Sequence, residues 1–326
     1  MTKQKKKRRL FTILIGISSI TLIVIGLSIG KTYLFDKKKE RVISKTKEVE
    51  GRVQAVYNSE IADIENVVNK TVKNSKNFGI YYKNLYSGDT YGYNENEPFL
   101  AASTIKVALV MDISDLIQDG RLSEDGSIKY ISSDYEDGAG VLLDDMNRLK
   151  KPIKYTELMD LAIIYSDNIA TQMLQRVQSD MDLYIKDISG TDRKKGGNYL
   201  TAKQQGKVLE KLYKNENNNP MYDKIIKNME STVFHDRIDQ YVPEEICAHK
   251  IGDYGVYVHD TGIVFTDMPY IISIYTKNKV VDANETIAIL SKEIYDINKD
   301  ACNKVKKIED SYNEDFNVND KYINAN

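Results

Sequence analysis

The segments with strand-like patterns lie towards the two ends of this chain, and the stretch between them, residues 100–240, is mostly helical by pattern. "FGIYYKNLYSGDTYGY" contains two β-rich runs around Ser87 and Gly88, which is typical of a hairpin. "CAHKI", "DTGIVF" and "YIISIYT" follow residue 245 and are separated by turn residues. A hairpin alone is only marginally stable in water. We therefore predict an α+β fold in which both ends contribute strands to one five-stranded antiparallel sheet.

Two segments beside these strands have the apolar spacing of helices. One follows Ser59 and the other follows residue 283. In each segment the apolar residues fall on one helical face, and they are Ile61, Ile64, Val67, Val68 and Val72 in the first and Ile287, Leu290, Ile294, Ile297 and Ala301 in the second. We expect these terminal helices to cover one face of the sheet. The helical block, in which Thr201 and Gln204 form a capping box, should cover the other face.

The N-terminal segment has the pattern of a membrane anchor. Basic residues 1–9 precede an uncharged, mostly apolar segment from Leu10 to Gly30, which as a helix can span the roughly 30 Å of a bilayer core. A cleaved signal peptide is the alternative, but it has a shorter apolar region and a small-residue cleavage site, which is not seen here. The larger basic cluster precedes the span, so we expect the rest of the chain to lie outside the cytoplasm, attached to the cell membrane.

The remainder of the chain divides into three parts. Residues 31–56 are charged, lack an apolar stripe and are interpreted as a stalk. Residues 57–303 form the predicted folded domain, and residues 304–326 are interpreted as a polar, Asn-rich tail without regular structure. The net charge is +9 over residues 1–41 and −11 over the rest. An acidic body of this kind argues against nucleic acid as a partner.

The cysteines and histidines predict no metal or cofactor. Cys247 and Cys302 are favoured as unrelated thiols because free cysteines are commonly buried. A disulfide between them is the alternative outside the cytoplasm. His235, His249 and His259 do not have the spacing of metal ligands, so we interpret them as core or surface histidines.

A lysine within an apolar run is the most unusual local feature. In "FLAASTIKV", Lys106 follows Ser103 by three positions, which places both on one face of a helix. Burial of an ammonium is unfavourable, but a desolvated lysine can lose its proton and then accept that of a serine hydroxyl. The alternative is a capping serine and a lysine that extends to solvent. Ser44 and Lys47 in the predicted stalk have the same spacing, so the pattern alone is weak.

Two further motifs are weak when each is taken alone. Ser166, Asp167 and Asn168 lie between two helical patterns and could be only a turn with a capping side chain. Lys250 and Gly252 lie on the first C-terminal strand, where a lysine is usually an exposed residue.

Together, and in this order, the three motifs resemble those of the class A β-lactamases, a family of penicillin-recognising serine enzymes. The family has Ser-x-x-Lys at the start of a buried helix, Ser-Asp-Asn on a loop about 60 residues later, and Lys-Thr-Gly on the strand that lines the site. The first separation is 63 residues here, and "DTGIVFTDMPYIISIYT" is similar to the two strands that follow in the family. The resemblance covers residues 57–303 and implies a β-lactamase/transpeptidase-like fold.

The resemblance also implies a role for each matching catalytic residue. Ser103 is the expected nucleophile, and Lys106 is its expected general base or proton relay. Ser166 is expected to pass a proton to the departing nitrogen of the substrate. Lys250 is expected to provide positive potential towards the substrate carboxylate.

The remaining matched positions are expected to bind the substrate. Asn168 should hold its side-chain amide, and Lys250 and Gly252 should line the site on the strand. The backbone N–H groups of Ser103 and Asp253 map to the family's oxyanion hole, in which each donor typically contributes about 3–4 kcal/mol.

Two departures from the family affect the expected chemistry. Class A enzymes carry a Glu-x-x-Leu-Asn motif whose glutamate activates the water that releases the acyl-enzyme. Ser166 and Lys250 are 84 residues apart here, about 20 fewer than in the family, and "GTDRKKGGNYLTAKQQ" contains no such motif. Asp192 is the nearest acid, but its spacing does not match. In addition, Ile251 replaces the threonine whose hydroxyl binds the substrate carboxylate.

We therefore predict a membrane-anchored, class A β-lactamase-like serine hydrolase that acts outside the cytoplasm without a cofactor. Its expected partners are the membrane and a small-molecule or peptide acyl donor, either a β-lactam or a related acyl-peptide such as a cell-wall stem. One alternative is a penicillin-binding peptidase or esterase. Another is a non-catalytic protein that binds or senses a cell-wall ligand.

Overall fold

The computed structural model describes residues 32–278 and 280–323, so the predicted tail at 1–9 and anchor at 10–30 lie outside the described residues. Its strands are β1 (Phe78–Asn84), β2 (Thr90–Tyr93), β3 (Phe99–Leu100), β4 (Ser127–Ile128), β5 (Ile153–Lys154), β6 (Tyr199–Leu200), β7 (Cys247–Tyr254), β8 (Tyr257–Val264) and β9 (Tyr270–Thr276). Its α-helices are α1 (Thr32–Val72), α2 (Lys106–Gln118), α3 (Tyr155–Ile164), α4 (Asn168–Gln175), α5 (Met181–Ser189), α6 (Ala202–Lys214), α7 (Tyr222–Glu230) and α8 (Ala283–Ile323). Short 3-10 helices are Ala102–Ile105, Ser132–Asp134, Arg148–Lys150 and Glu244–Ile246.

The predicted five-stranded sheet is confirmed. Its strand order is β2-β1-β9-β8-β7, and every neighbouring pair is antiparallel. The two ends of the chain meet where β1 pairs with β9, from Phe78 opposite Thr276 to Asn84 opposite Tyr270. Neither the N-terminal hairpin nor the C-terminal strands could form this sheet alone, which is why both groups of strands are needed.

The two faces of the sheet are covered as the apolar patterns predict. On one face, parts of α1 and α8 pack on the sheet through a buried cluster that includes Ile64, Val68, Ile287, Leu290 and Ile294. The other face packs on the helical block in a larger cluster that includes most of α2. The capping box that begins α6 is present, since Thr201 Oγ1 accepts from Gln204 N–H at 3.0 Å and Gln204 Oε1 accepts from Thr201 N–H at 3.1 Å.

A buried carboxylate links elements from both ends of the chain. Glu60 accepts hydrogen bonds from the Tyr82 hydroxyl at 2.7 Å and from the amides of Asn84 and Asn298 at 2.9 Å each. Burial raises the pKa of the Glu60 carboxyl despite these three donors. Because the three donors are hydrogen-bonded to Glu60, they can be buried within the apolar layer between the terminal helices and the sheet.

The chain forms two compact units, one of Glu60–Lys299 and another that includes the described residues before and after it in sequence. In the second unit, residues 304–323 belong to α8, which corrects the expectation of a tail without regular structure. Val305 and Ile308 are buried there and extend the three- and four-residue spacing of the preceding turns.

The predicted stalk is also helical, since residues 32–56 belong to α1. It does carry a narrow apolar stripe, because Val49, Val53 and Val56 are each partly buried. This stripe is short, and charged neighbours such as Glu50 and Arg52 obscure it in the sequence.

No helix within residues 32–278 and 280–323 is long and apolar enough to cross a membrane. Cys247 and Cys302, both among the described residues, do not form a disulfide with each other, as the favoured interpretation of these cysteines has it.

Candidate active site

The candidate nucleophile lies at the start of a helix, immediately after a strained residue. Ser103 is half-buried in the 3-10 helix Ala102–Ile105. Ala102 has φ of +48°, a conformation that is unfavourable for any residue with a Cβ. The hydrogen bond from Thr104 N–H to Ala101 O, at 3.1 Å, is the one that closes this turn. The N–H of Ser103 precedes it and, as at other helix starts, has no carbonyl within the helix to bind.

Lys106 is buried one turn after Ser103. It is the first residue of α2 and is 3% exposed. Its Nζ donates to Ser166 O at 2.7 Å, to Asn168 Oδ1 at 2.8 Å and to Ser166 Oγ at 3.2 Å. Burial lowers the pKa of Lys106 to about 8, although the charges of Glu136 and Asp167 oppose the shift. At pH 7 about a tenth of this amine is therefore neutral, far more than for a lysine with an ordinary pKa.

The Ser166 hydroxyl lies between two lysines. Lys250 is fully buried, and its Nζ donates to Ser166 Oγ at 3.0 Å and to Ile251 O at 3.1 Å. Burial, followed by the positive charges of Lys106 and Arg237, lowers the pKa of Lys250 well below its usual value. Ser166 itself has φ of +53°, which directs its backbone carbonyl and its hydroxyl to the same ammonium. The hydroxyl accepts from both lysines, so its own proton is available for a third group.

Asp167 holds the loop that carries these acceptors. Its Oδ2 accepts from the N–H groups of Val141 and Leu142 at 2.7 and 2.8 Å. Its Oδ1 accepts from Ala170 N–H at 2.8 Å and so caps α4. The capping turn that was the alternative interpretation of this motif is thus present, and the same turn presents Ser166 to the two lysines.

A glycine allows β7 to approach the segment that carries Ser103. A Cβ on Gly252 would lie 2.9 Å from Ala101 O and 3.0 Å from Thr104 Cγ2, which is closer than a side chain can normally approach. The absence of a side chain at Gly252 therefore brings the backbone around Asp253 beside the start of the 3-10 helix. Asp253 and Ser103 are the two positions at which the sequence analysis predicts oxyanion donors.

Arg237 contributes a charge that the sequence analysis did not identify. Its guanidinium is buried and donates to Asp253 Oδ2 at 2.7 Å and to His259 O at 3.0 Å. Its charge also reaches Lys250, whose pKa it helps to lower. No motif surrounds Arg237 in the sequence, so only the pairing of β7 with β8 reveals where its side chain lies.

The structure thus brings Lys106, Ser166, Asn168 and Lys250 into one hydrogen-bonded group. Asp192 is not in contact with this group. Its carboxylate is exposed and forms an ion pair with Lys186 at 2.9 Å.

Comparison with known proteins identifies the family. A model of the Beta-lactamase enzyme family matches residues 61–297, which is more than half of the chain. This chain belongs to the β-lactamase enzyme family. The class A resemblance inferred from the motifs is therefore confirmed at the level of the family. A comparison with curated proteins gave no match.

Similar solved structures include PBP-A, which is 22% identical, with 73% of this chain and 96% of that chain covered and a TM-score of 0.66. The L158E mutant of PBP-A, an acyl-enzyme complex with penicillin G, is also 22% identical, with 74% and 97% covered and a TM-score of 0.66. An ancestral class A β-lactamase (GNCA) is 16% identical, with 72% and 99% covered and a TM-score of 0.65. At these identities the likeness shows the fold.

The role of Asp167 predicts a large loss of stability when its carboxylate is removed. Asp167→Ala leaves the N–H groups of Val141, Leu142 and Ala170 without their acceptor, so we expect the free energy of unfolding to fall by about 3 kcal/mol or more. Urea denaturation followed by circular dichroism measures this value. Asp137→Ala is the control, because within the described part of the chain the exposed Asp137 carboxylate accepts only from the adjacent Gly138 N–H. Equal losses in the two variants would contradict the assigned role.

Proposed function

We propose that this chain is a serine hydrolase of the class A β-lactamase type, which opens β-lactams or related acyl-peptides through an acyl-enzyme on Ser103. The contact of Ser166 Oγ with both Lys106 Nζ and Lys250 Nζ carries the proposal. Two buried lysines that share one hydroxyl are unfavourable for stability, and they supply a base and a proton donor of the kind that acyl transfer requires.

The acylation step uses Ser103 and Lys106. The neutral amine of Lys106 takes the proton of the Ser103 hydroxyl while Oγ attacks the carbonyl carbon of the substrate. The oxygen of the tetrahedral intermediate accepts from the N–H groups of Ser103 and Asp253. The carbon–nitrogen bond then breaks, and the nitrogen receives the proton of Ser166. Lys106, now protonated, contacts Ser166 Oγ and can return a proton to it.

Positive charge on one side of the site suits a substrate with a carboxylate. Burial holds the pKa of Lys250 well below its usual value, so the permanent positive charge on this side is the guanidinium of Arg237. Ile251 has no hydroxyl that could bind the carboxylate. The charge of Arg237, although it is paired with Asp253, lies beside Lys250 and offsets part of this loss.

Slow deacylation is the second part of the proposal. The carboxylates whose charges act on Lys106 belong to Glu136 and Asp167. Asp167 already accepts from three backbone N–H groups, and Glu136 is exposed and contacts Gln172. Neither is placed like a general base dedicated to water. Loss of such a base typically slows a step by about 10²–10⁴-fold.

A penicillin-binding peptidase or esterase is the nearest alternative. The similarity to PBP-A, of which one mutant is an acyl-enzyme complex with penicillin G, favours this alternative as much as an antibiotic-hydrolysing enzyme. A non-catalytic sensor is less well supported, because a ligand pocket alone has no need of the buried pair Lys106 and Lys250.

The nucleophile is tested by labelling with a fluorescent penicillin followed by a denaturing gel. Ser103→Ala should abolish the covalent band while the protein stays folded, because a serine at a helix start contributes only about 1 kcal/mol as a cap. Ser44→Ala is the matched control, because Ser44 precedes Lys47 with the same spacing and should label like the wild type. A band that survives Ser103→Ala would remove Ser103 from its role.

The rate of acylation should depend on the titration of Lys106. Its pKa is lowered to about 8, and only the neutral amine accepts a proton, so the rate should rise with pH. Between pH 6 and pH 8 we expect an increase of about 50-fold in the second-order rate constant of labelling, levelling off above pH 8. Stopped-flow labelling across this range measures it. A rate that is flat between pH 6 and pH 8 would exclude Lys106 as the base.

The lifetime of the acyl-enzyme tests the proposed slow deacylation. After mixing with excess penicillin, intact-mass spectrometry should show one drug mass per chain that persists for minutes, because no dedicated base activates water. If the free protein dominates while the drug is consumed over many turnovers, this part of the proposal fails. Glu136→Gln and then Asp192→Asn would in that case identify the group that activates the water.

We also propose that the chain is anchored in the cell membrane with this domain outside the cytoplasm, on the basis of the apolar segment from Leu10 to Gly30. Extraction of the full chain should require detergent, and deletion of residues 1–40 should give a soluble protein. Fractionation of cells and culture medium measures both. Native full-length chain found free in the medium would contradict the anchor.

A further inference from the structure

Two histidines and an aspartate meet behind β7, away from the group formed by Lys106, Ser166 and Lys250. His235, Asp239 and His249 each offer one ligand atom, and these atoms all lie within 4.8 Å of one another. His235 Nδ1 is 2.5 Å from Asp239 Oδ2, and His249 Nε2 is 3.2 Å from the same oxygen. No metal ligands were expected among the histidines, because their spacing in the sequence is not that of a metal site.

Two atoms of this cluster are buried without a hydrogen bond. His249 is 1% exposed and Asp239 is 6% exposed. His249 Nε2 and Asp239 Oδ1 have no hydrogen-bonding partner among the described residues, although Nε2 lies near Asp239 Oδ2. Buried polar atoms without partners are rare in folded proteins. Both atoms belong to the set that could bind an ion.

Each histidine of the cluster has a second carboxylate on its other ring nitrogen. His249 Nδ1 is 2.9 Å from Asp260 Oδ2, and His235 Nε2 is 3.4 Å from Glu244 Oε1. Metal-binding histidines characteristically donate their other N–H to a carboxylate, which fixes the ring and its tautomer. The pairing with Asp260 orients the ring so that His249 Nε2 lies beside Asp239.

We propose that His235, Asp239 and His249 bind a divalent zinc ion. Two imidazoles and one carboxylate are a ligand set that zinc accepts, with a water molecule as the fourth ligand. Tetrahedral zinc with bonds of about 2.0–2.1 Å holds its ligand atoms about 3.3 Å apart, close to the 3.2 Å between His249 Nε2 and Asp239 Oδ2. His235 must move slightly away from Asp239, and its side chain, 38% exposed, is free to do so.

The zinc ion would fix the segment that carries Arg237. His235 and Asp239 flank Arg237 in sequence, whereas His249 belongs to β7. Asp260 on β8 already holds this segment through a hydrogen bond of 3.0 Å from Ile238 N–H. A metal that joins both sides of Arg237 to β7 would strengthen the same attachment. The inference concerns this cluster alone and does not depend on the acylation of Ser103.

A proton on the His249 ring competes with a metal ion for the ligand atom of this residue. Burial opposes a charge on His249, but the carboxylates of Asp260 and Asp239 outweigh it and raise the pKa of the ring to about 10. Without a metal the cluster would hold an imidazolium.

Zinc binding to the full chain in detergent tests the proposal. The protein is first freed of metal with EDTA, exchanged into buffer and titrated with Zn²⁺, and bound metal is counted by mass spectrometry after gel filtration. We expect one zinc per chain and a rise in the unfolding temperature that Mg²⁺ does not reproduce. Replacement by Co²⁺ should give the visible absorption of a four-coordinate site.

His235→Ala and Gln240→Ala form the matched pair of variants. His235→Ala removes one ligand from a half-exposed position, so it should fold, and its unfolding temperature without metal checks this. Zinc affinity should fall more than about 100-fold, which exceeds the 10–100-fold loss typical of outer partners. Gln240→Ala, a nearby exposed residue outside the ligand set, should bind like the wild type. Absence of zinc from the wild type, or equal binding by His235→Ala, would overturn the proposal and leave a cluster that holds only a proton.

Discussion

The burial of two ammonium groups beside one serine hydroxyl is the constraint on which the candidate site depends. Lys106 is 3% exposed and Lys250 is fully buried, so each requires acceptors from the protein. Ser166 O, Asn168 Oδ1 and Ile251 O supply them. Because removal of water lowers the pKa of an ammonium, an arrangement that is unfavourable for folding yields a base that is available near neutral pH.

Two residues of the site have strained backbone conformations, and nearby contacts stabilise each of them. Ala102 and Ser166 both adopt positive φ, at +48° and +53°, and such conformations persist only where the surroundings enforce them. The three N–H groups that donate to the Asp167 carboxylate hold the loop that contains Ser166 and so enforce its conformation. Beside Ala102, strand β7 can lie against Ala101 because Gly252 lacks a side chain. The strain is therefore located at Ser166 itself and at the residue that precedes Ser103.

Local patterns explain what could be predicted from the sequence. The β-rich runs around Ser87, the stripe after residue 283 and the capping box at Thr201 each lie within sixteen residues of sequence. The sheet, the terminal helices and the start of α6 follow from them. Arg237 and Glu136 lie in no such pattern. Arg237 meets Asp253 only because the sheet brings their segments together, so no reading of neighbouring residues could have placed it in the site.

The order of residues on β7 relates the two charged clusters of the domain. His249 and Lys250 are consecutive in a strand, so their side chains point to opposite faces of the sheet. Asp260, opposite Ile251 on β8, serves both. Its carboxylate accepts from His249, and its charge raises the pKa of Lys250 against the effects of burial and of Lys106. Asp260 therefore acts on both clusters, since it contacts His249 directly and its charge favours the protonated form of Lys250.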